Sequence, residues 1–247
     1  MSPIFKRFFT KELGLDLGTA NSLVYEKEKG IIFREPSVVA IKKDRSNEIL
    51  AFGQEAEQMI GRTPGHLVAI RPLREGVIAN YELTKELIRY LLQKAVRRRF
   101  GRKPRVVVSI PTGITSVERR AVLEATLGAG AKEAYLIEEP VAAAIGAGLP
   151  VQEAVGNMVI NIGGGTTDVA VIALGGVVAG TSIRVGGDAM DDGIIRFVRR
   201  QYHLSIGKRS AEQLKIALGS AYPFPDEEER SGEARGRDQV TGLPKNV

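Results

Sequence analysis

The sequence predicts an α/β protein in which one strand-rich unit occurs twice. The pattern of strand, glycine–threonine turn, strand, glycine, strand lies near each end of the ordered part of the 247-residue chain. Between the two copies, helical apolar spacing alternates with short runs of Val and Ile that are typical of buried parallel strands. A duplicated α/β unit is the simplest account of this organisation.

The first copy begins with a short, mostly apolar run. A strand over Leu13–Leu17 is broken by Gly18-Thr19, a second strand resumes over Ser22–Tyr25, and a third follows over Gly30–Phe33. The segment Ser37–Phe52 alternates as further strands around a polar turn, KKDRSNE.

The middle of the chain alternates between the helical and the strand pattern. Thr115 and Glu118 have the spacing of a capping box, which predicts where one of the helices begins. In order, the predicted elements are a helix over about Tyr81–Arg99, a strand over Val106–Pro111, a helix from Thr115 to about Leu127, a strand over Ala134–Ile137 and a small-residue helix over Glu138–Gly148.

The second copy repeats the opening pattern around Gly163-Gly164-Gly165. Its strands are predicted over Met158–Ile162, Asp168–Leu174 and Val177–Ile183, followed by helices over about Asp191–Tyr202 and Ser210–Gly219. Ser210 and Gln213 have capping-box spacing, and the charged tail DEEERSGEARGRDQ predicts a solvated loop.

Composition narrows the class of protein. Without cysteine there are no disulfides or thiolate metal sites, and two distant histidines argue against a His-based metal site. The longest apolar run is too short and too glycine-rich to cross a bilayer, and MSPIFKRFF has no apolar core or cleavage site of a secretory signal. We therefore expect a cytoplasmic protein, whose net charge of +6 allows an anionic partner.

The two glycine turns are candidate phosphate sites. GLDLGTANS and INIGGGTTD each present backbone N–H groups beside threonine hydroxyls, and glycine allows positive φ and close approach of an anion. Asp16, at the end of the first strand, is placed to hold hydrated Mg²⁺. One such loop is more often a plain hairpin, but two in a duplicated unit predict a clamp on a nucleotide triphosphate.

These motifs resemble those of the actin/Hsp70/hexokinase superfamily and, within it, the MreB family of bacterial actins. LDLGTANS resembles the first phosphate loop, IGGGTTD the second, and EEPVAAAIGAGLP the segment that connects the lobes. The likeness extends nearly end to end through RTPGH, IRPLREGVIANYE, VERRAV, IRVGGDAMDD, SAEQLKIALG and TGLPKNV.

The resemblance implies an actin-like fold of two duplicated RNase H-like lobes with small inserted subdomains. It places the first lobe core in 1–34 and 74–147, a small inserted subdomain in 35–73, the start of the second lobe core in 148–184 and a second small subdomain in 185–247. The family continues past TGLPKNV into further strands, a glycine-rich adenosine loop and a returning helix. We therefore expect an incomplete second lobe with an unpaired sheet edge, and weak ATP binding by a truncated product.

It also implies a function. The family forms ATP-dependent, membrane-associated filaments that maintain rod shape and organise peptidoglycan synthesis. The expected cofactors are ATP and Mg²⁺. The expected partners are further copies of the chain, the inner face of the cytoplasmic membrane and the cell-wall elongation machinery, with no nucleic acid.

Residues matching the family motifs carry the implied roles. Glu139 would position and polarise the attacking water with help from Thr166, and Asp16 would hold the metal through water. From the residues alone, Glu139 is also a helix N-terminal acid, and Glu212 with Lys215 is a plain surface ion pair. The implied nucleotide contacts are Gly18, Thr19, Ala20, Asn21, Gly163, Gly164, Gly165, Glu212, Gln213, Leu214 and Lys215.

Two segments suggest membrane contact. Ile4, Phe5, Phe8 and Phe9 fall at helical spacing among basic residues, as in an interfacial helix, although a disordered start is the ordinary alternative. RRRFGRKPR places Phe100 in a basic loop that resembles the family's second membrane-facing site. A solvated helix end or a nucleic-acid patch has a similar composition, but no nucleic-acid motif accompanies it.

One residue departs from the family pattern inside the second loop. The family has aspartate where this chain has Asn161, which keeps the shape but removes a charge. We expect slower hydrolysis, with nucleotide binding less affected.

Two other functions share the superfamily fold. A sugar or acetate-type kinase needs a separate acidic base facing a substrate pocket, and the sequence offers no such candidate. An Hsp70-like chaperone ATPase normally carries a peptide-binding module after its nucleotide domain. This chain has 247 residues, and its insertion between Arg34 and about Leu73 is short, as in the MreB family.

Overall fold

The computed structural model describes residues 11–43, 48–60, 67–96, 103–222 and 230–247. These residues form two compact units, the first ending at Val185 and the second beginning at Gly186. The first unit contains β1 (Glu12–Leu17), β2 (Asn21–Glu26), β3 (Gly30–Pro36), β4 (Val39–Lys42), β5 (Ile49–Phe52), α1 (Gly53–Gln58), β6 (Leu67–Ile70), β7 (Leu73–Arg74), β8 (Val77–Ile78), α2 (Tyr81–Val96), β9 (Arg105–Ile110), α3 (Ser116–Gly128), β10 (Glu133–Glu138), α4 (Glu139–Gly146), β11 (Asn157–Ile162), β12 (Thr167–Ala173) and β13 (Gly176–Ile183). The second contains α5 (Gly187–Tyr202), β14 (Leu204–Ser205), α6 (Lys208–Leu218), β15 (Arg235–Asp238) and β16 (Pro244–Asn246).

A five-stranded mixed sheet forms the centre of the first unit. Its strand order is β10-β9-β1-β2-β3. The first three strands along the chain pair antiparallel, whereas β9 pairs parallel with β1 and β10 pairs parallel with β9. The carboxyl ends of β1, β9 and β10 therefore share one edge, where binding sites in α/β sheets commonly lie.

Helix α2 covers this sheet with one apolar face. Leu87, Ile88 and Leu91 are fully buried on it and join the core formed by β1, β9 and α3. The apolar positions recur every three or four residues, so burial of this stripe against the sheet stabilises a helix that is exposed on its other side.

The strand pattern of the first copy recurs in β11, β12 and β13. These three strands form an antiparallel sheet in sequential order, like β1, β2 and β3. In both sheets the pairing of the second with the third strand contains a register shift, at Val24/Tyr25 and at Val171/Ile172. The predicted duplication of this motif is thus confirmed.

Smaller sheets complete the two units. Strands β5, β4 and β6 form one between residues 39 and 70, and β7 with β8 forms a two-stranded ribbon around Glu75-Gly76. In the second unit, β14, β15 and β16 pair antiparallel next to a core of Val198, Leu204 and Ala211.

Most predicted elements are confirmed to within a few residues, including the capping box of Thr115 and Glu118. The capping box at Ser210 is wrong, because α6 begins at Lys208 with Gly207 as its N-cap. The charged tail is also not wholly a loop: Arg235–Asp238 forms β15, whose backbone pairs on both sides. The assignment of residues to two lobes stays a prediction. No helix in the described ranges is long and apolar enough to cross a membrane.

The core of the first unit can be tested at Leu87. Leu87→Ala removes a fully buried side chain, so we expect the free energy of unfolding to fall by about 2–5 kcal/mol in urea titrations. Leu127→Ala, at a position that is 45% exposed on α3, is the matched control and should cost less than about 1 kcal/mol. Equal losses from the two variants would contradict the burial pattern.

Candidate functional site

The first glycine turn joins β1 to β2 and is stabilised by two hydrogen bonds from Ser37, which lies after β3. Ser37 donates from Oγ to the Gly18 carbonyl oxygen at 2.6 Å, and its backbone N–H donates to the Ala20 carbonyl at 3.0 Å. A Cβ at Gly18 would lie 2.5 Å from the Asn21 carbonyl oxygen, so glycine is required here for the tightness of the turn.

The second glycine turn joins β11 to β12 and packs directly on the first. The Gly163 N–H donates to the Thr166 carbonyl at 2.8 Å. A Cβ at Gly164 would lie 2.9 Å from the Ala20 Cβ, and one at Gly165 would lie 2.4 Å from Thr19 Oγ1. The two loops thus meet at a distance that only glycine permits.

Two properties of glycine were predicted to matter here, its tolerance of positive φ and its lack of side-chain bulk. None of Gly18, Gly163, Gly164 and Gly165 has φ in the left-handed region. Their lack of a side chain, and not an unusual backbone conformation, is what the structure uses.

A third segment, Glu75-Gly76, completes the junction and was missed by the sequence analysis. Both residues have positive φ, 49° and 75°, in the turn between β7 and β8. The Gly76 N–H donates to Thr19 Oγ1 at 3.1 Å, and a Cβ on Gly165 would lie 3.0 Å from the Glu75 backbone. The Glu-Gly pair was the available signal for a tight turn, but nothing in the sequence indicated its partner.

Carboxyl groups gather at the strand ends next to the loops. Ser109, on β9, donates from Oγ to Asp16 Oδ1 at 2.6 Å on the neighbouring strand β1. Glu139 is the first residue of α4, and Asn161, on β11, donates from Nδ2 to Glu139 Oε2 at 3.1 Å. The structure therefore brings Asp16, Glu139 and Asn161, from three separate stretches of the sequence, to one place.

Burial makes two of these groups hard to ionise, and repulsion from other carboxyl groups adds to the effect on Glu139. Burial raises the pKa of Glu139 to about 8, with further contributions from the negative charges of Asp16 and Asp168, while the hydrogen bond from Asn161 opposes them. Burial also raises the pKa of Asp16, against the hydrogen bond from Ser109 and the charge of Arg34. Both carboxyl groups are thus harder to ionise than they would be in water.

Asp168 lies fully buried at the same junction and was not predicted as a site residue. Its Oδ1 accepts the Thr112 backbone N–H at 3.0 Å, which links β12 to the loop after β9. Its Oδ2 and the Thr112 hydroxyl have no hydrogen-bond partner among the residues that the structure describes. In the sequence, the place of Asp168 at the end of GGGTTD was the only signal of a role in the site. Its contact with Thr112 could not be predicted, because the two residues are 56 positions apart.

The residue types fit a hydrated cation better than a directly bound one. Among the described residues, no group of three or more His, Cys, Asp or Glu side chains could hold a metal ion. The carboxyls that repel one another, together with the unpartnered Asp168 oxygen, nevertheless leave negative potential for a cation held through water.

The remaining predicted site residues are on a helix of the second unit or in the N-terminal and basic-loop segments. Glu212, Gln213, Leu214 and Lys215 are on α6 in the second unit, where Leu214 packs on the core and Glu212 and Gln213 are exposed. Lys215 Nζ forms an ion pair with Oδ1 of the buried Asp191 at 2.8 Å and donates a hydrogen bond to the Gly187 carbonyl oxygen at 3.1 Å. Ile4, Phe5, Phe8, Phe9 and Phe100 lie outside the described residues.

Comparison with known proteins gives a family match over nearly the whole chain. The model of the MreB/Mbl protein family matches residues 10–247. The cell shape-determining protein MreB of Escherichia coli K12 is 51% identical over 245 residues, which are 98% of this chain and 70% of that protein. The cell shape-determining protein Mbl of Bacillus subtilis 168 is 48% identical over 239 residues, 97% of this chain and 71% of that protein.

Solved structures agree with the sequence comparison. MreB5 of Spiroplasma citri bound to ADP superposes with a TM-score of 0.88 at 36% identity, covering 97% of this chain and 71% of that one. The same protein bound to AMPPNP gives a TM-score of 0.87.

Two repeated antiparallel units that meet through glycine loops, beside a cluster of carboxyl groups, define a protein of actin-like fold. Within that class, the chain belongs to the MreB/Mbl family.

The glycine junction can be tested without any ligand. Gly165→Ala forces a Cβ against Thr19 Oγ1 and the Glu75 backbone, so we expect the free energy of unfolding to fall by about 1–3 kcal/mol. Gly163→Ala is the control, because its nearest neighbour would lie at an ordinary 3.4 Å, and it should change stability by less than about 1 kcal/mol. Equal tolerance of alanine at both positions would show that the loops are not in close contact.

The raised pKa of Glu139 predicts how stability changes with pH. The folded chain binds this proton more tightly than the unfolded chain, whose ordinary pKa is 4.5, so the stabilisation is complete below 4.5 and is lost as pH rises towards 8. The side chain at position 139 of the Glu139→Gln variant cannot ionise, so the unfolding free energy of the variant should fall less between pH 5 and 8 in urea titrations. Some fall remains, because the pKa of Asp16 is raised as well. Parallel curves for the two proteins would contradict the assigned pKa.

Proposed function

We propose that the chain is a nucleotide-dependent cytoskeletal protein that forms filaments at the inner face of the cytoplasmic membrane and helps to determine cell shape. The observation that carries the proposal is the contact of Gly164 and Gly165 with Ala20 and Thr19, which makes one cradle of two loops. Family membership supports the role, because the E. coli and B. subtilis relatives are cell shape-determining proteins.

The ligand of the cradle is proposed to be ATP. Backbone N–H groups of both loops and the hydroxyls of Thr19 and Thr166 supply donors for phosphate oxygens without bulky side chains. The MreB5 relative is bound to ADP in one structure and to AMPPNP in another, which supports a nucleotide in this chain. Glu212, Gln213, Leu214 and Lys215 are the proposed contacts for ribose and adenine, and Lys215 would leave Asp191 to make one.

ATP hydrolysis would depend mainly on how the chain positions the attacking water and the phosphate groups, and not on a covalent intermediate. Glu139 lies at the α4 N-terminus beside the loops and is the proposed base that orients and polarises the attacking water, with Thr166 assisting. Bound Mg²⁺ would neutralise phosphate charge, and Asp16 is the residue proposed to hold it through water. A nearby cation would also lower the pKa of Glu139 from about 8, so that the carboxylate is available at neutral pH.

The membrane and the filament are proposed from the family and from the N-terminal sequence. Ile4, Phe5, Phe8 and Phe9, with Phe100 as a second contact, are the proposed lipid-facing side chains, and the basic residues among them suit anionic headgroups. The cell-wall elongation machinery is the proposed downstream partner.

Sedimentation tests this proposal. The purified chain should pellet with anionic vesicles when ATP and Mg²⁺ are present, and less without ATP, because filament formation multiplies weak single-chain contacts. Zwitterionic vesicles are the control and should retain far less protein. Pelleting that ignores both ATP and lipid charge would contradict a nucleotide-dependent membrane filament.

Asn161 carries no negative charge where the family has aspartate, and we therefore expect slow ATP hydrolysis. Asn161→Asp restores an acidic group beside the proposed cation, so we expect the single-turnover rate of ATP hydrolysis to rise by about tenfold, with little change in ATP affinity. Single-turnover measurements with excess protein report the rate, and ATP titration reports the affinity. An unchanged rate would remove the charge at this position from the mechanism.

A further inference from the structure

We propose that Asn161 is a positioning residue that slows hydrolysis by holding the Glu139 carboxyl group against strand β11. This inference rests on the proposed function, because it requires Glu139 to act on the attacking water. It differs from the loss of a charge, since it assigns the effect to the hydrogen bond that the Asn161 amide donates.

The hydrogen bond joins two fixed elements. Asn161 lies on the same face of β11 as Val159, which packs with Val141 of α4 against a buried cluster. Glu139 begins α4 and is followed by the buried Pro140, which fixes its backbone. The 3.1 Å contact from Nδ2 to Oε2 therefore spans a gap that packing determines on both sides.

The hydrogen bond from the Asn161 amide matters because the other groups around Glu139 are acidic. The charged groups that act on Glu139 are Asp16 and Asp168, both acidic, so the Asn161 amide is a donor in a site of acceptors. In the ionised state in which Glu139 is proposed to act, the carboxylate oxygen that accepts such a bond is stabilised and is a poorer acceptor for the proton of a water molecule. An aspartate at 161 has no N–H to donate and would leave both oxygens of Glu139 free.

The two copies of the strand motif allow an independent comparison of Asn161 with the residue at the corresponding position. Asp16 and Asn161 each lie two residues before the first glycine of their loop, on corresponding strands. Asp16 accepts a hydrogen bond, from Ser109, whereas Asn161 donates one, to Glu139. The second copy of the strand motif thus places a donor where the first copy places an acceptor, and that donor is directed at the proposed base.

A donor-deleting variant separates this hydrogen bond from the charge. Asn161→Ala removes the amide and adds no charge, so loss of the hydrogen bond should raise the single-turnover rate by roughly threefold to tenfold, the size expected for one neutral donor. ATP affinity should change by less than about twofold, because the backbone of the loop is retained. Asn157→Ala is the matched control: Asn157 lies on the same face of β11 and donates to the Val155 carbonyl, so its loss should leave the rate unchanged.

A double variant then tests whether the effect passes through Glu139. The rate gained by Asn161→Ala should vanish in the Glu139→Gln background. An unchanged or slower Asn161→Ala, or a gain that persists in that background, would overturn the inference and leave the proposed function intact. Asn161→Val, which also has no donor and suits a β-strand, should give the same gain if Asn161→Ala fails to fold. If instead Glu139→Gln hydrolyses ATP as fast as the unsubstituted chain, or no variant hydrolyses it, the proposed function itself fails.

Discussion

The close approach of two backbone turns is the constraint on which the rest of this structure depends. Thr19 and Ala20 lie against Gly164 and Gly165 at distances that leave no room for a Cβ, and the Glu75-Gly76 turn lies against both loops. Because these contacts are made by backbone, by the Ala20 methyl group and by one threonine hydroxyl, none of which can move far, they fix the ends of β1 and β11 relative to each other. The donors of both loops are thereby held ready before any ligand arrives, which lowers the entropic cost of binding.

Placing the strand ends together also concentrates acidic groups. Asp16, Glu139 and Asp168 come from three different elements, and burial with mutual repulsion raises the pKa of Glu139 to about 8. Such a site is destabilising by itself and is relieved by a proton, by a hydrogen-bond donor or by a cation. Asn161 supplies the donor in the folded chain, and a metal–nucleotide complex would supply the charge. The repulsion that lowers the stability of the folded chain is therefore also the basis of the proposed preference for a cation and of the proposed effect of Asn161 on hydrolysis.

Sequence patterns predicted those parts of the fold and site that are local. The strand–glycine–strand repeat, the apolar face of α2 and the capping box at Thr115 each depend on residues a few positions apart. Contacts between distant residues were not predictable in this way: the Glu75-Gly76 turn on Thr19, the Thr112 amide on Asp168 and the Asn161 amide on Glu139. The glycines were correctly singled out, but the sequence offered both positive φ and the lack of a side chain as reasons, and the two could be distinguished only once the partner loop was located.

The central claim is that the two glycine loops act as one nucleotide site, and backbone amide NMR during titration with AMPPNP and Mg²⁺ tests it most directly. The account predicts that the amide signals of Gly18–Ala20 and of Gly163–Gly165 change together, with a single titration midpoint. Amides such as those of Val107 and Tyr135, which lie away from the loops on the five-stranded sheet, serve as internal references. Changes confined to one loop, or different midpoints for the two, would contradict a shared site.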